Sequence, residues 1–372
     1  MIYLDNAATS FPKPRCVTEA VMRCLTQYCG NPGRGAHPLA MASAEAIYTC
    51  RESLAAFLGL NAPESIVFTA NTTYALNFAL KGLLQRDTHV LISELEHNAV
   101  RRPLCALQRE RHVRFETFPV LGLTAQEITK GIARRITPDT SAVICTHASN
   151  ICSLSLPLTE IGALCLARGL LFVVDAAQSA GHLPIDMRSM HISALAAPAH
   201  KALYGIQGAG LLALGEGVLP EVLLQGGSGV DSLSETMPSM PPERYEAGTL
   251  STPAIVGLSA GLAFIRERGL ESIALHERML FEAARERLTA LGDVRIFLPD
   301  VAGAVLLFAR EHEGAEQTAA RLAADGICVR AGYHCAPLAH HALGTPKGGA
   351  VRISFSPFNT VAELDALWRA LR

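Results

Sequence analysis

The chain has 372 residues, of which 49% are hydrophobic and 18% charged, and its net charge is −2. This length exceeds one ordinary hydrophobic core and predicts two domains, or one large domain with a smaller lobe. The nearly neutral charge argues against a nucleic acid or an anionic membrane as partner, and no apolar run reaches the roughly 18 residues of a membrane span. Ten cysteines without a C-x-x-C pair are typical of reduced, buried thiols, so we expect a cytoplasmic protein.

Apolar runs of strand length alternate with segments of helical period in the first 215 residues. The runs are "ESIVFTA", "THVLIS", "VRFETFPV", "SAVICTHAS" and "GLLFVVDAAQ". Between them, apolar residues recur at about every third or fourth position, which is typical of helices. Because the runs are nearly all apolar rather than alternating, they predict an α/β fold with a mostly parallel sheet flanked by helices.

The composition changes after this region. Residues 226–243 are rich in glycine, serine and proline and predict an exposed loop. A long helical segment over 251–292 follows, and then come the strands "AVLLFAR", "GICVRAG" and "AVRISFSP". We therefore predict an N-terminal segment 1–14 near the site and the small domain, a large domain 15–250 and a small C-terminal α/β domain 251–372.

Two polar residues and a lysine stand out in otherwise apolar surroundings. Asp175 ends a predicted strand, with Gln178 three residues later, and the carboxyl ends of parallel strands border the ligand crevice. Lys201 lies in the glycine-rich stretch "APAHKALYGIQGAG", where a lysine is either at the rim of a site or chemically committed, for example as a Schiff base. The alternatives are a helix cap for Asp175 and a surface lysine for Lys201.

Two further turns carry candidate residues. Thr72 and Thr73 lie between a strand and a helix in "FTANTTYALN", where hydroxyls and free backbone N–H groups can bind a phosphate. His97 follows the strand "THVLIS" near its carboxyl end. A threonine N-cap and a structural histidine are the alternatives, and neither a P-loop nor a G-x-G-x-x-G motif is present.

Pyridoxal phosphate requires this combination of groups. A lysine forms a Schiff base with its aldehyde, an acid keeps the pyridine nitrogen protonated so that the ring accepts electrons, and hydroxyls hold the phosphate. A phosphate-binding turn, an acid, an aromatic base and a lysine on successive βα turns therefore predict this cofactor.

The sequence resembles the class V aminotransferase family of fold-type I pyridoxal phosphate enzymes and, within it, the cysteine desulfurases. The resemblance runs from residue 3 to about 360 in the family's order. The matching stretches are "YLDNAATS", "RGAHPLA", "NTTYALN", "ELEHNAV", "SNICSLSLPL", "VVDAAQSAGHLPIDM", "HKALYGIQGAG", "RYEAGTLSTPAIVGL", "VRAGYHCAPLAH" and "VRISFSPFNT". The short "GYHCAPLAH" form is more similar to the type II, or sulfur-mobilisation, branch.

The residues expected to bind the cofactor are Thr72, Thr73, His97, Asp175, Gln178, His200, Lys201 and Thr249. The resemblance implies that Lys201 forms the aldimine, Asp175 pairs with the pyridine nitrogen and Gln178 contacts the phenolic oxygen.

Four of these residues have further implied roles. His97 would stack on the ring and serve as an acid or base, while Thr73 and His200 would hold the phosphate. Thr249 would reach in from a second subunit, so the resemblance implies a homodimer.

The substrate side of the site is also implied by the resemblance. Asn150 and Arg352 match the positions that bind the substrate carboxylate, a task that suits the planar guanidinium group. His37 and Arg330 are further expected substrate contacts, and Cys335 matches the catalytic nucleophile. Together with Lys201 and His97, Cys335 is expected to be catalytic, to take the sulfur of L-cysteine as a persulfide, to release alanine, and to pass the sulfur to a carrier protein or a thiol.

One position departs from the family pattern. Members of the type II branch usually have a serine three residues before the lysine, where this chain has Pro198. One phosphate hydrogen bond is therefore absent or supplied by another residue.

Three other functions stay open at this point. A selenocysteine lyase, another C–S lyase or a transaminase would use the same family site. The histidines of "VRAGYHCAPLAHHALG" could bind zinc with Cys335, although C-x4-H-H lacks the paired short spacings of common zinc sites, so no metal is expected. A fold-only relative without catalysis is the third, and the complete set of lysine, aspartate, cysteine and arginine argues against it.

Overall fold

The computed structural model describes residues 1–33 and 35–372 of the chain. Arg34, the first residue of the stretch "RGAHPLA", lies outside the described residues. The strands are β1 (Ile2–Tyr3), β2 (Ile66–Thr69), β3 (His89–Ser93), β4 (Arg114–Phe118), β5 (Thr140–Thr146), β6 (Leu171–Asp175), β7 (Ala194–Pro198), β8 (Gly210–Leu214), β9 (Val294–Phe297), β10 (Val305–Arg310), β11 (Ile327–Cys328), β12 (Arg330–Gly332) and β13 (Ala350–Ser354).

Eleven α-helices are distributed along the described part of the chain. They are α1 (Arg15–Arg23), α2 (Pro38–Phe57), α3 (Thr72–Leu83), α4 (Asn98–Arg111), α5 (Ala125–Ala133), α6 (Leu158–Arg168), α7 (Thr252–Arg268), α8 (Leu270–Thr289), α9 (Ala315–Ala324), α10 (Pro337–Ala342) and α11 (Val361–Leu371), with a π-helical turn at Cys24–Tyr28 and a 3-10 turn at Pro63–Ser65. The segment 251–292 is helical as predicted, but it forms two helices rather than one. Gly269 separates α7 from α8 because its backbone adopts a left-handed φ of 84°, which ends a regular helix. In the part of the chain that the structure describes, no helix combines the length and apolar character needed to cross a membrane.

A seven-stranded sheet in the order β2-β8-β7-β6-β5-β3-β4 forms the centre of the fold. All neighbours pair in parallel except β8, which is antiparallel to both β2 and β7. Strands β3 and β5 are buried almost throughout, as their apolar sequences predict. Strands β7 and β8, which were not predicted, are also buried throughout. The predicted α/β fold with a mostly parallel sheet is confirmed.

The reversal between β7 and β8 positions the key lysine. The connection over residues 199–209 is shorter than the dozen or more residues that a parallel crossover needs, so β8 returns antiparallel. Lys201 lies on this connection, directly beyond the carboxyl end of β7. The chain reversal therefore places Lys201 at the edge of the sheet where β5 and β6 also end.

A second sheet, in the order β12-β13-β10-β9, is antiparallel throughout. Its strands β10 and β13 pack with helices α8, α9 and α11 in a separate hydrophobic cluster that includes Leu4 of the N-terminal segment. Strand β1 pairs in parallel with β11, with Ile2 opposite Ile327. The domain boundaries 1–14, 15–250 and 251–372 stay a prediction.

A buried ion pair fastens helix α2 to the loop that precedes α7. Arg51 donates two hydrogen bonds of 2.9 Å to Glu246, whose Oε1 also accepts from the backbone N–H of Phe68 at 2.6 Å. The two side chains are only 6% and 8% exposed. Each partner therefore depends on the other for compensation of its buried charge.

We expect Arg51→Ala to lower the free energy of unfolding by about 3–5 kcal/mol, because Glu246 would be left buried and unpaired. Urea denaturation measures this change. The control is Arg114→Ala, which removes an exposed partner of Asp139 and is expected to cost less than about 1 kcal/mol. Equal effects of the two substitutions would contradict the expectation.

Candidate active site

A cavity of about 490 Å³ lies at the carboxyl edge of the large sheet. Residues from the connections that follow β2, β3, β5, β6 and β7 meet there, because these strands end at the same edge of the sheet. The cavity is lined by these residues predicted from the sequence: Thr72, Thr73, His97, Asn150, Asp175, Gln178, His200 and Lys201. The sequence therefore identified most of this lining, although the side chains come from positions up to 129 residues apart (201 − 72).

Lys201 has an unusual proton affinity in this cavity. Burial lowers the pKa of its ammonium group from 10.5 to about 8, and the neighbouring Asp175 opposes this shift only in part. A substantial fraction of Lys201 therefore carries a neutral amine near neutral pH, which is the form that reacts as a nucleophile or a base.

Asp175 lines the cavity with a buried carboxyl group. Its side chain is buried, and its Oδ1 accepts a hydrogen bond of 2.9 Å from the backbone N–H of Ala177. Burial raises the pKa of Asp175, while that N–H group and the Lys201 ammonium oppose the shift. Nearby, Gln178 donates from Nε2 to the carbonyl of Ala7 at 2.9 Å, which fixes the orientation of its amide.

The N-terminal end of helix α3 also lines the cavity. Asn71 caps the helix by accepting from the N–H of Tyr74 at 3.2 Å. Among the described residues, Thr72 Oγ1 and His200 Nδ1 have no hydrogen-bond partner although both atoms are buried. Gly210 makes this packing fit, since a Cβ atom there would lie 2.8 Å from the Cα of Asn71. Two unpartnered polar atoms thus lie beside the free N–H groups of a helix N-terminus, a combination that suits an anion.

His97 presents an N–H group to the cavity. Its Nδ1 accepts a hydrogen bond of 3.0 Å from the backbone N–H of Ala99, so the ring proton lies on Nε2. Burial, together with the positive charges of Lys201 and Arg102, lowers the pKa of His97 to about 4. His97 is therefore a neutral imidazole and, in this tautomer, a hydrogen-bond donor.

Cys335 does not line this cavity. The exposed cysteine lies in a smaller cavity of about 330 Å³ on the other side of His97. Its carbonyl accepts from the N–H of Asn98 at 2.7 Å, and Asn150 Nδ2 donates to the carbonyl of His334 at 2.8 Å. We call the cavity of about 490 Å³ around Lys201 the main cavity, and the loop that carries His334 and Cys335 the cysteine loop. Asn150 thus connects the main cavity to the cysteine loop.

The cysteine loop is held in a strained conformation by its histidines. His334 and Cys335 both adopt left-handed backbone angles, with φ of 50° and 55°. His334 Nε2 donates to the Arg330 carbonyl at 3.2 Å, so its Nδ1 accepts from His340 Nε2 at 3.0 Å. Burial lowers the pKa of His334 to about 3 and that of His340 to about 4, so both rings are neutral. In residues 1–33 and 35–372, no group of three His, Cys, Asp or Glu side chains is arranged to hold a metal ion.

Arg352 does not line the main cavity, but it contacts Asn150, which does. One nitrogen of its guanidinium group has no hydrogen-bond partner among the described residues. Its Nη2 donates to Asp5 at 2.7 Å and its Nη1 donates to the carbonyl of Asn150 at 3.0 Å. Its Nε is buried and unpartnered among the described residues. Arg330 stands opposite Arg352 in the β12–β13 pair, so a second guanidinium group lies beside the first.

His37 and Thr249 also lie outside the lining of the main cavity. His37 is exposed and caps helix α2, with its Nδ1 accepting from the N–H of Ala40 at 3.3 Å. Thr249 lines a different cavity, of about 850 Å³, beside Arg51 and Glu246. Their expected contacts with substrate and cofactor stay predictions.

The N-terminal segment 1–14, predicted to lie near the site, contacts it through hydrogen bonds that the sequence did not indicate. The carbonyl of His200 accepts hydrogen bonds from Ser10 N at 3.0 Å, Thr9 Oγ1 at 3.0 Å and Lys13 Nζ at 2.9 Å. Ser10 Oγ donates to the carbonyl of Lys201 at 3.0 Å. The only signal in the sequence was that Lys13 is a cation within the segment "NAATSFPKP", where nothing else is charged.

The family comparison agrees with this architecture. A family model described as "Aminotransferase class-V" matches residues 2–367. The chain belongs to the class-V aminotransferase family. A probable cysteine desulfurase of Methanothermobacter thermautotrophicus is 32% identical to this class-V aminotransferase, over 100% of this chain and 94% of the relative.

Solved structures of class-V aminotransferases resemble this one closely. The apo structure of a cysteine desulfurase from Thermococcus onnurineus has a TM-score of 0.90 at 30% identity, covering 100% of this chain and 93% of the other. The cysteine desulfurase CsdA from Escherichia coli, in an S-sulfonic acid form, has a TM-score of 0.89 at 28% identity, covering 99% and 93%. The fold predicted from the resemblance, that of fold-type I pyridoxal phosphate enzymes, is confirmed.

Proposed function

We propose that the chain is a cysteine desulfurase that depends on pyridoxal phosphate, converts L-cysteine to L-alanine and holds the sulfur as a persulfide on Cys335. The observation that carries this proposal is the arrangement of Lys201 and Asp175 in one cavity, with the Cys335 loop fastened to that cavity by Asn150. Relatives named probable cysteine desulfurases match over the whole chain, which supports the same activity.

The donor set of the main cavity fits pyridoxal phosphate. Thr72 Oγ1 and His200 Nδ1, both buried without partners in the described part of the chain, would hold the phosphate together with Thr73. Asp175 would pair with the pyridine nitrogen, and Lys201 would hold the aldehyde carbon. When bound, this cofactor supplies an electron sink that makes the α-proton of an amino acid acidic.

Arg352 and Asn150 would orient the substrate. Arg352 is rigidly held by Asp5 and Asn150, and its unpartnered Nε offers a further N–H group to a carboxylate. We place the substrate carboxylate on Arg352 and Asn150, since a fixed guanidinium group binds a carboxylate with defined geometry. His37 and Arg330 stay proposed substrate contacts.

Lys201 transfers the α-proton, and His97 assists as a neutral hydrogen-bond donor. The neutral amine of Lys201 takes the α-proton at Nζ, because burial brings its pKa to about 8. His97 donates a hydrogen bond from Nε2 and, being neutral, does not compete with Lys201 for the proton.

Sulfur transfer requires a thiolate at Cys335. The Sγ of Cys335 attacks the sulfur of L-cysteine, so a new S–S bond forms and the C–S bond of the substrate breaks. The β-carbon keeps the electron pair of the broken bond and takes a proton, which yields alanine. The product on the protein is a persulfide, which a carrier protein or a thiol must then accept.

We also propose the assembly that the resemblance implies. In a homodimer, Thr249 of a second copy would complete the phosphate site. The division into domains 15–250 and 251–372, with segment 1–14 beside the small domain, is proposed as part of the same arrangement.

The shifted pKa of Lys201 gives a pH dependence that can be measured. We expect exchange of the α-proton of L-alanine with deuterated solvent to rise about tenfold per pH unit below pH 8 and to level off above it, because the free amine is the base. L-Alanine has no thiol, so its exchange reports this proton transfer alone. A rate that keeps rising towards pH 10 would contradict the lowered pKa of Lys201.

The proposed activity can be tested directly. The purified protein is incubated separately with L-cysteine, L-selenocysteine, D-cysteine and cystine, while alanine, pyruvate and sulfide are each measured. A cysteine desulfurase forms alanine from L-cysteine in equal amount to the sulfur transferred. Pyruvate as the main product, or turnover of cystine alone, would instead indicate a different C–S lyase of the same family.

A further inference from the structure

A groove between helices α3 and α4 begins at Cys335. This groove is the cavity of about 330 Å³ described above, and we call it the α3–α4 groove. Each helix contributes a row of side chains at four-residue spacing, which lie on one helix face. The rows are Thr73, Asn77 and Lys81 on α3, and Asn98, Arg102 and Ala106 on α4.

The groove has a fixed shape because both of its ends are fastened. At the far end, Arg111 Nη1 of α4 donates to the carbonyls of Lys81 at 2.7 Å and Leu84 at 3.1 Å, which are the last carbonyls of α3. At the near end, the N–H of Asn98 donates to the carbonyl of Cys335 at 2.7 Å. The two helices therefore run in the same direction, and the cysteine loop closes the groove at their N-terminal ends.

The lining of the groove is positively charged. Its charged side chains are Lys81 and Arg102, and the lining includes no carboxylate. Within residues 1–33 and 35–372, neither cation forms an ion pair. The neighbouring His97 is a neutral ring, partly because Arg102 lowers its pKa. An anion in the groove would thus meet two uncompensated positive charges.

The groove and the main cavity are neighbours. They share Thr73, His97 and Ala99 as a common wall, but Cys335 lines the groove alone. A molecule in the groove can therefore reach Cys335 without entering the cavity of Lys201. The volume of about 330 Å³ is at the lower end of the range for sites that bind small organic molecules.

We propose that the α3–α4 groove binds the thiol that takes the sulfur from Cys335, and that this acceptor is a small thiol with a carboxylate group. The proposal rests on the proposed function, because it needs a persulfide on Cys335. The carboxylate lies between Lys81 and Arg102 and directs the thiol towards Cys335. The acceptor thiolate attacks the outer sulfur of the persulfide. The S–S bond breaks, its electron pair returns to Cys335 as a thiolate, and the acceptor leaves as a persulfide, so no oxidant or reductant is required.

The experiment compares three simple thiols as acceptors. The protein is given one turnover of L-cysteine, freed of excess substrate and mixed with 3-mercaptopropionate, 2-mercaptoethanol or cysteamine. Rates of sulfur loss from Cys335 are expressed per thiolate, and each is divided by the rate of the same thiolate with a small disulfide in free solution. This removes the differences in thiolate fraction and in intrinsic nucleophilicity among the three thiols. We expect 3-mercaptopropionate to react at least about tenfold faster than 2-mercaptoethanol and cysteamine to be slowest, and we expect high salt to reduce the difference.

Charge variants distinguish the effect of the groove cations on the thiol rates from the effect of the protein's net charge. The double variant Lys81→Glu with Arg102→Glu is expected to reverse the order of the three thiols, and Lys81→Gln with Arg102→Gln to make their rates similar. Alanine formation in the first turnover is expected to stay unchanged in both. The matched control is Lys130→Glu with Arg134→Glu, two exposed cations at the end of α5, which changes the net charge equally and should keep the original order.

Equal rates per thiolate for the three thiols, or an unchanged order in the Glu and Gln variants, would overturn the proposal. Failure of the proposed function looks different, because alanine and Cys335-bound sulfur would then be missing in the first turnover. In that case inorganic polysulfide loads Cys335 directly, and the same three thiols still test the groove.

Discussion

Replacement of Lys201 by alanine is expected to abolish the formation of alanine from L-cysteine, with a loss of at least about 10³-fold. Lys201 is the one lysine that lines the main cavity among the described residues, and burial gives it a pKa of about 8. Its removal takes away both the amine that would hold the cofactor aldehyde and the base for the α-proton. Alanine is measured by amino-acid analysis, and the absorbance band of the lysine-bound cofactor is followed in parallel.

The control for this variant is Lys130→Ala, an exposed lysine on helix α5. It should keep both the absorbance band and the activity. An active Lys201→Ala protein, or one that keeps the band, would remove Lys201 from the proposed mechanism. A loss of fold is excluded when the two variants unfold at the same urea concentration.

Replacement of Cys335 by alanine is expected to leave cofactor binding intact but to lower sulfide release from L-cysteine by at least about 100-fold. The cysteine lies outside the main cavity, on the far side of His97, so its removal leaves the cofactor contacts in place. Sulfide release in the presence of a thiol and labelling of protein-bound sulfur are the two measurements. Exchange of the α-proton of L-alanine should continue at the parent rate.

The control here is Cys16→Ala, another exposed cysteine, which should be fully active. Full activity of Cys335→Ala would contradict the role of Cys335 as sulfur acceptor. The same variant also separates cysteine from selenocysteine as the substrate. Because the C–Se bond is weaker than the C–S bond, a selenocysteine lyase has less need of the thiol, and its turnover would survive Cys335→Ala.

The large sheet was predictable because each of its predicted strands is marked by an apolar pattern within a short stretch of sequence. Uniformly apolar runs separated by helical periods specify parallel strands under helices, and this pattern held for β3, β5 and β6. Strands β2 and β4 form where they were predicted, but β2 pairs antiparallel with β8, and the edge strand β4 alternates between exposed and more buried residues. Strand β9 was not predicted, since "VRIF" is four residues long with only Phe297 fully buried. The break at Gly269 was also missed, because a glycine within a helical period is compatible with both a continuous helix and a left-handed turn.

The site was predictable where its residues stand at strand ends. Asp175 ends an apolar strand and His97 follows one, so their positions in the chain place them at one edge of the sheet. Lys201 was selected instead by its glycine-rich surroundings, since strand β7 before it was not predicted. The contacts that fix Arg352 could not be found this way, because its partner Asp5 is 347 residues away in sequence. The ring proton of His97 also depends on a hydrogen bond to Ala99 that only coordinates reveal.

The pairing of the first residues with the last ones has a consequence for biosynthesis. Ile2 pairs with Ile327, and Asp5 holds Arg352. While the chain emerges from the ribosome, Ile2 has no strand partner until residue 327 has been synthesised, and Asp5 can contact Arg352 only after residue 352. The seven strands of the large sheet are complete by residue 214, so the sheet can form well before translation ends. Arg352, the arginine proposed to bind the substrate, is therefore synthesised late, and a nascent chain that has folded only its large sheet still lacks it.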